Sequence, residues 1–219
     1  LPPSPAGTTL HPGVAMEALP FAEHGFDCVV SQFGFEYADL SRAASEVGRV
    51  LAPGGIVALL THRFDGPILS HNLARSDQIR WAIEREKLPE RARAAISNRA
   101  ATGPAVPAEF QEAVSAGASQ FGPTSAAWEI AEAIRRCLDF GRHDAAARVS
   151  SLIDSIESKA RNELARIAAL ERACQQTKSP AALTTAMADH GFIEREVHRL
   201  ISPADPRPFA DFRVFQRGF

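Results

Sequence analysis

Two rhythms of apolar and polar residues run along this chain. Residues 26–33 and 56–60 are nearly unbroken apolar runs, which predict strands buried on both faces of a parallel sheet. Between them Leu40, Ala43, Ala44, Val47, Val50 and Leu51 recur at helical spacing, so 39–51 predicts a helix with Asp39 as its N-cap. Pro53-Gly54-Gly55 is expected to end that helix and turn the chain. Strand, helix, turn and strand in this order form a βαβ unit. Upstream, residues 1–13 carry four prolines and two glycines and predict irregular structure. A short strand is expected at 10–15, followed by a loop around Leu19-Pro20-Phe21.

From 70 to 188 the pattern is helical throughout. The expected segments are 70–87, 89–101, 107–120, 124–140, 144–176 and 180–189, with Pro89, Pro107, Pro123 and Pro180 near their starts, where proline is tolerated. In 144–176 the apolar stripe is Val149, Leu152, Ile153, Ile156, Ala160, Leu164, Ile167 and Leu170, opposite Arg148, Asp154, Lys159, Arg166 and Glu171. Its expected partner is the stripe of 124–140, which includes Trp128, Ile130, Ala131, Ile134 and Leu138. A homodimer interface through this helical region is the alternative. After Gly191 the rhythm becomes that of strands. Residues 192–201 and 211–217, separated by Pro203, Pro206 and Pro208, suit an antiparallel pair closing the sheet.

A length of 219 residues allows one domain, or one with a helical elaboration. The composition, 45% hydrophobic and 23% charged, is that of a soluble globular protein. A net charge of -2 gives no electrostatic footprint for a nucleic-acid partner. Cys28, Cys137 and Cys174 lie far apart, without CxxC or zinc spacing, so no metal site is expected and a reducing cytoplasmic setting fits. Cys28, inside an apolar run, is expected to be buried. No run approaches the ~18 apolar residues of a membrane span. The chain begins without Met and without a secretory signal, and Leu1 reads as the start of a fragment, a processed chain or an ordered remnant. Lysine occurs only at Lys87, Lys159 and Lys178, and with abundant alanine this suggests a GC-rich bacterial genome.

Candidate chemistry is sparse. No GxSxG elbow and no Ser-His-Asp order exists, which argues against a hydrolase. His62 and Arg63 follow the 56–60 strand and are expected at the mouth of a cleft, where either could orient a substrate or act as a base; a solvated loop histidine is the plainer reading. His71, His143, His190 and His198 have no partners visible in sequence.

The segments GVAMEALPF, FDCVVSQFGFEY and EVGRVLAPGGIVALL, in this order, resemble the middle of a class I S-adenosylmethionine-dependent methyltransferase of the ubiquinone/menaquinone biosynthesis type. The resemblance covers residues 10–62 and 180–218. It implies an α/β fold: a partial Rossmann-like methyltransferase sheet with a large α-helical insertion and a C-terminal antiparallel strand pair. The methyltransferase-like α/β domain is then expected from 1–63 and 180–219, with 64–179 as the helical insertion or cap. The resemblance also implies S-adenosylmethionine as cofactor and a small-molecule substrate. It assigns cofactor contacts to Ala15, Met16, Glu17 and Leu19 beside the adenine, and to Ser31, Gln32 and Phe33 at the end of the first strand. Ala15 stands where the family carries Asp. No GxGxG occurs in the chain, so the strand and glycine-rich turn of the family's first half are expected before Leu1. A degenerate relative that binds or assembles through its helices is the alternative to an enzyme.

Overall fold

Strand β1 (Phe26–Gln32) leads through a 3-10 turn, Phe35–Tyr37, into helix α1 (Leu40–Val50), which runs directly into strand β2 (Leu51–His62). The computed structural model describes residues 7–103 and 105–218. Asp39 caps α1 as expected, its carboxylate accepting from the Arg42 N–H at 2.9 Å. Helices α2 (Pro67–Arg80), α3 (Leu88–Ser97), α4 (Arg99–Thr102), α5 (Ala108–Phe121), α6 (Ala126–Phe140), α7 (Ala146–Gln176) and α8 (Pro180–Ala188) follow, and strands β3 (Phe192–Ser202) and β4 (Asp205–Arg217) end the chain. The chain divides into two compact units, one from Leu1–Leu69 with Leu170–Phe219, the other from Ser70–Ala169.

The first unit holds one four-stranded sheet in the order β1-β2-β4-β3. β1 and β2 are parallel, with Val29 opposite Val57 and Gln32 opposite Leu60. β4 is antiparallel to both its neighbours. The partial α/β sheet with a C-terminal antiparallel pair, read from the apolar rhythm, is therefore the fold this unit adopts. Its core lies on one face of the sheet, where Val57, Leu59 and Phe215 pack with Ala43, Ala44 and Val47 of α1 and Leu183 and Met187 of α8.

Several local expectations are corrected. Residues 10–15 form no strand. β1 is not buried on both faces: Val30 is 71% exposed, Phe26 37%, and Cys28 is an exposed free thiol. The reason is topological. β1 is an edge strand with one neighbour, and Cys28 and Val30 share the sheet face of Ile56, itself 45% exposed, opposite the core. Pro53-Gly54-Gly55 does not end α1; it bulges within β2, where the register jumps between Phe26–Leu51 and Cys28–Ile56. Gly54 takes φ +77°, and a Cβ on Gly55 would lie 3.0 Å from the Asp27 carbonyl, so both glycines are required by backbone shape and close approach. At the other end, the β3–β4 turn is tighter than its three prolines suggested, because Pro206 and Pro208 are taken into β4 beside irregular register.

The second unit has a helical core. Its centre includes Ile79, Trp81, Phe110, Ile134, Val149 and Ile153. The expected helix at 70–87 is part of α2 and a π-helical turn, Trp81–Arg85, ended by Lys87 at φ +49°. α7 shares the core with α6, although Leu152 of its expected stripe is exposed: Gly141, after α6, lies against Val149 near the start of α7, while Glu129 and Glu163 meet Arg75 at the other end, so the two helices run antiparallel. The tighter neighbour of α6, however, is α5, whose Gly117 lets the backbones approach.

Candidate functional site

The carboxyl ends of β1 and β2 lie side by side, the place where open parallel sheets bind ligands. Phe33 follows β1 with its backbone in the left-handed region, φ +53°, its N–H donating to the Leu60 carbonyl at 2.8 Å. A non-glycine residue held there is a strained feature, and such strain concentrates at functional sites. Gly34 comes next; a Cβ there would lie 3.1 Å from Ser31 Oγ and 4.0 Å from Met16 Cε. The thioether of Met16 thus reaches the end of β1, and the two segments 15–17 and 31–34 meet.

The seven residues named by the resemblance fall into distinct settings. Ala15 and Gln32 are exposed, and Met16 is half-buried against the core. Glu17 Oε1 accepts from the Asp39 N–H at 2.9 Å, which draws its carboxyl below the usual range. Ser31 Oγ accepts from the Phe35 N–H at 3.0 Å. Leu19 lies farther along α1: its N–H donates to Glu46 Oε2 at 2.8 Å, and its carbonyl accepts from Arg49. The structure brings Met16, Ser31, Phe33 and Gly34 together and sets Leu19 apart. Among the polar side chains of the seven, Glu17 and Ser31 are engaged by backbone, and Gln32 faces solvent.

A feature missed by sequence reasoning sits under this end of the sheet. Glu36 is completely buried. Its Oε1 accepts from the His62 backbone N–H at 3.0 Å and lies 2.7 Å from His62 Nδ1. Its Oε2 is, among the described residues, the buried side-chain polar atom left without a partner. The Phe33 ring leans on the imidazole, centroids 4.3 Å apart, and the Tyr37 ring stands edge-on at 6.2 Å. Cys174 is buried nearby; burial, reinforced by the Glu36 charge, pushes its thiol up to about 12, so it stays protonated. The signal available in sequence was a lone acid inside the apolar run Phe33–Tyr37.

Arg63 is turned to other duties. It donates to both oxygens of Asp211, at 2.8 and 3.0 Å, and to Asp65 at 2.9 Å. Those carboxylates raise its pKa, so it is a cation, not a base. It lines a cavity of about 210 Å³ with Phe64, Thr177, Lys178 and Pro180. In the second unit a groove of about 390 Å³ runs between α2, α6 and α7, floored by Ile79, Ile130, Ile156 and Ala160. Among the described residues no cluster of side chains has the makings of a metal site, and no helix is long and apolar enough to cross a membrane.

Comparison with known proteins bears on this end of the sheet. Residues 8–59 match the family described as "Methyltransferase domain". A 44-residue stretch is 50% identical to a demethylmenaquinone methyltransferase of Thermus thermophilus. That stretch is 20% of this chain and 20% of that protein, so the match spans about a fifth of the relative's length. No solved structure matches the chain. The matched segment contains Met16, Ser31, Gln32, Phe33 and Glu36, so the end of β1 lies within the part of the chain that is similar to methyltransferases.

Proposed function

We propose that this chain belongs to a methyltransferase that uses S-adenosylmethionine and acts on a small molecule, with the quinone precursor named for the Thermus relative as the nearest guide to substrate class. The observation that carries the reading is the meeting of Met16 with Ser31 and Gly34 at the carboxyl end of β1, inside the segment that matches the methyltransferase family.

The residues present suit one side of such a cofactor. Gly34 keeps the backbone bare next to the Met16 thioether, as an apolar bed for the cofactor would require. Gln32, exposed at the strand end, offers both a donor and an acceptor. In this reading Met16 and Gly34 would flank the adenosine, while Ser31, Gln32 and Phe33 border the amino-acid end. When bound, S-adenosylmethionine supplies an electrophilic methyl group on a positively charged sulfur, an already activated donor. The work left to the chain is positioning and exclusion of water. The seat of the Phe33 ring on His62 serves the first of these by holding the end of β1 in a fixed shape.

Calorimetry of the full-length protein with S-adenosylhomocysteine tests the reading. Saturable one-to-one binding is expected. Failure to bind, with the protein folded, would remove it.

A further inference from the structure

The geometry points to His62 as the general base of this site, held by Glu36, and to an acceptor that carries an acidic hydroxyl. This inference rests on the methyltransferase reading above and adds to it a residue and a class of acceptor.

The pair has the build of a base and its orienter. Glu36 Oε1 already accepts from the His62 backbone N–H, so it faces Nδ1 as an acceptor and Nδ1 carries the hydrogen. The lone pair then lies on Nε2. Among the described residues that atom has no protein partner, and it is absent from the buried, unpartnered polar atoms, a set to which only Glu36 Oε2 belongs. Nε2 therefore reaches solvent from a side chain that is 11% exposed.

The surroundings leave His62 for this role. Phe33 and Tyr37 present ring faces and edges to the imidazole. Thr177 Oγ1 meets the His62 carbonyl, not the ring, at 3.5 Å. Arg63, the neighbouring cation, is taken up by Asp65 and Asp211. Lys178 sits over the Phe64 ring at 4.4 Å. The Cys174 thiol stays neutral. The group that faces His62 Nδ1 is thus the Glu36 carboxyl, whose Oε2 has no partner among the described residues.

The proton balance follows. The acceptor's O–H proton passes to Nε2 as its oxygen bonds to the methyl carbon. The carbon–sulfur bond breaks with its electron pair kept by sulfur. The site then holds an ether, an imidazolium and the Glu36 carboxylate, and the proton leaves to solvent from Nε2.

The test uses the full-length protein with His62→Asn and Glu36→Gln, S-adenosylhomocysteine as the binding probe and 1,4-naphthalenediol as the acceptor probe. Both variants should still bind S-adenosylhomocysteine saturably, so that transfer is compared at saturating cofactor. Methyl transfer to the diol should fall about 100-fold in His62→Asn, the usual worth of a positioned base. Its residual rate should climb about tenfold per pH unit, as an acceptor ionising unaided requires. Glu36→Gln, which keeps the acceptor oxygen for Nδ1 but removes the charge, should lose about tenfold. Transfer by His62→Asn at the parental rate and pH dependence overturns the assignment of the base. A parent that binds S-adenosylhomocysteine yet leaves the diol unmethylated overturns the acceptor class. Loss of S-adenosylhomocysteine binding by the parent itself fails the underlying reading instead, and the binding measurement tells these results apart.

Discussion

The backbone nitrogen of Trp128, at the start of α6, lies 3.2 Å from where a side chain on Gly117 of α5 would begin. The Ala127 carbonyl carbon and the Trp81 ring are each 3.3 Å from the same point. Gly117 therefore sets the distance between the two helices, in a helix interior where glycine otherwise costs about 1 kcal/mol relative to alanine. Two of the three neighbours are backbone of the capped first turn of α6 and cannot swing aside. Gly117→Val should lower stability by about 1–3 kcal/mol through overpacking, read as a reduced midpoint in urea unfolding. A variant as stable as the parent would mean that α5 and α6 are not held at this distance.

The stripe of α7 gives a graded comparison. Ile153 is fully buried, whereas Ile156 is half-buried along the groove between α2, α6 and α7. An aspartate at 153 would leave a charge without water or partner; at 156 it could turn to the groove and hydrate, beside Lys159. Ile153→Asp should abolish cooperative unfolding, while Ile156→Asp should lose about 1–3 kcal/mol and still melt cooperatively. Equal effects, seen by circular dichroism, would contradict the difference in burial between the two positions.

How much of this was legible in sequence differs by element. The helix 39–51 and the strands at 26–32 and 192–201 follow from local spacing, which a single segment carries by itself. The exposure of β1 does not. An apolar run reports that burial is favourable, and says nothing of whether anything covers Val30. The bulge at Gly54-Gly55 was visible as a turn signal, yet its position inside β2 depends on the Asp27 carbonyl across the sheet. Arg213, 5% exposed in β4, reads as an ordinary strand residue until Glu194 and Thr184 are brought to its guanidinium. The segments meeting at the end of β1 were legible through the family resemblance. The Glu36–His62 pair was not, because its partners come from a turn and a strand end whose alignment is set by the register of β1 on β2.

Acid should loosen the segment that runs along α1. Glu46 accepts from Arg49 and from the Leu19 N–H, and these bonds, Arg49 first, hold its carboxyl at about 2, below the ordinary 4.5. A carboxyl whose folded pKa is depressed stabilises the fold fully above its unfolded value. That contribution fades as pH falls from about 4.5 towards 2. The side chain is 20% exposed, so screening keeps the effect modest, about 1 kcal/mol or less. Glu46→Gln should be less stable than the parent near pH 6, and the gap should close towards pH 2. Denaturant midpoints across that range measure it. A gap that widens on acidification would reverse the sign and exclude Glu46 as its source.

Gln32 offers the cleanest probe of the cofactor side. Gln32 is exposed at the end of β1, and its amide makes no bond among the described residues. Replacing it by alanine removes nothing that holds the fold, so stability should change by less than about 0.5 kcal/mol, as at other exposed positions. If the end of β1 borders the amino-acid moiety of S-adenosylmethionine, the same substitution removes one hydrogen bond to a charged group. Affinity for S-adenosylhomocysteine should then weaken about tenfold, the equivalent of roughly 1.4 kcal/mol. The two measurements separate cause from collapse: calorimetry reads the ligand and thermal unfolding reads the fold. Unchanged affinity with unchanged stability would move the amino-acid end of the cofactor away from Gln32 and leave Met16 and Gly34 as the part of the bed to probe next.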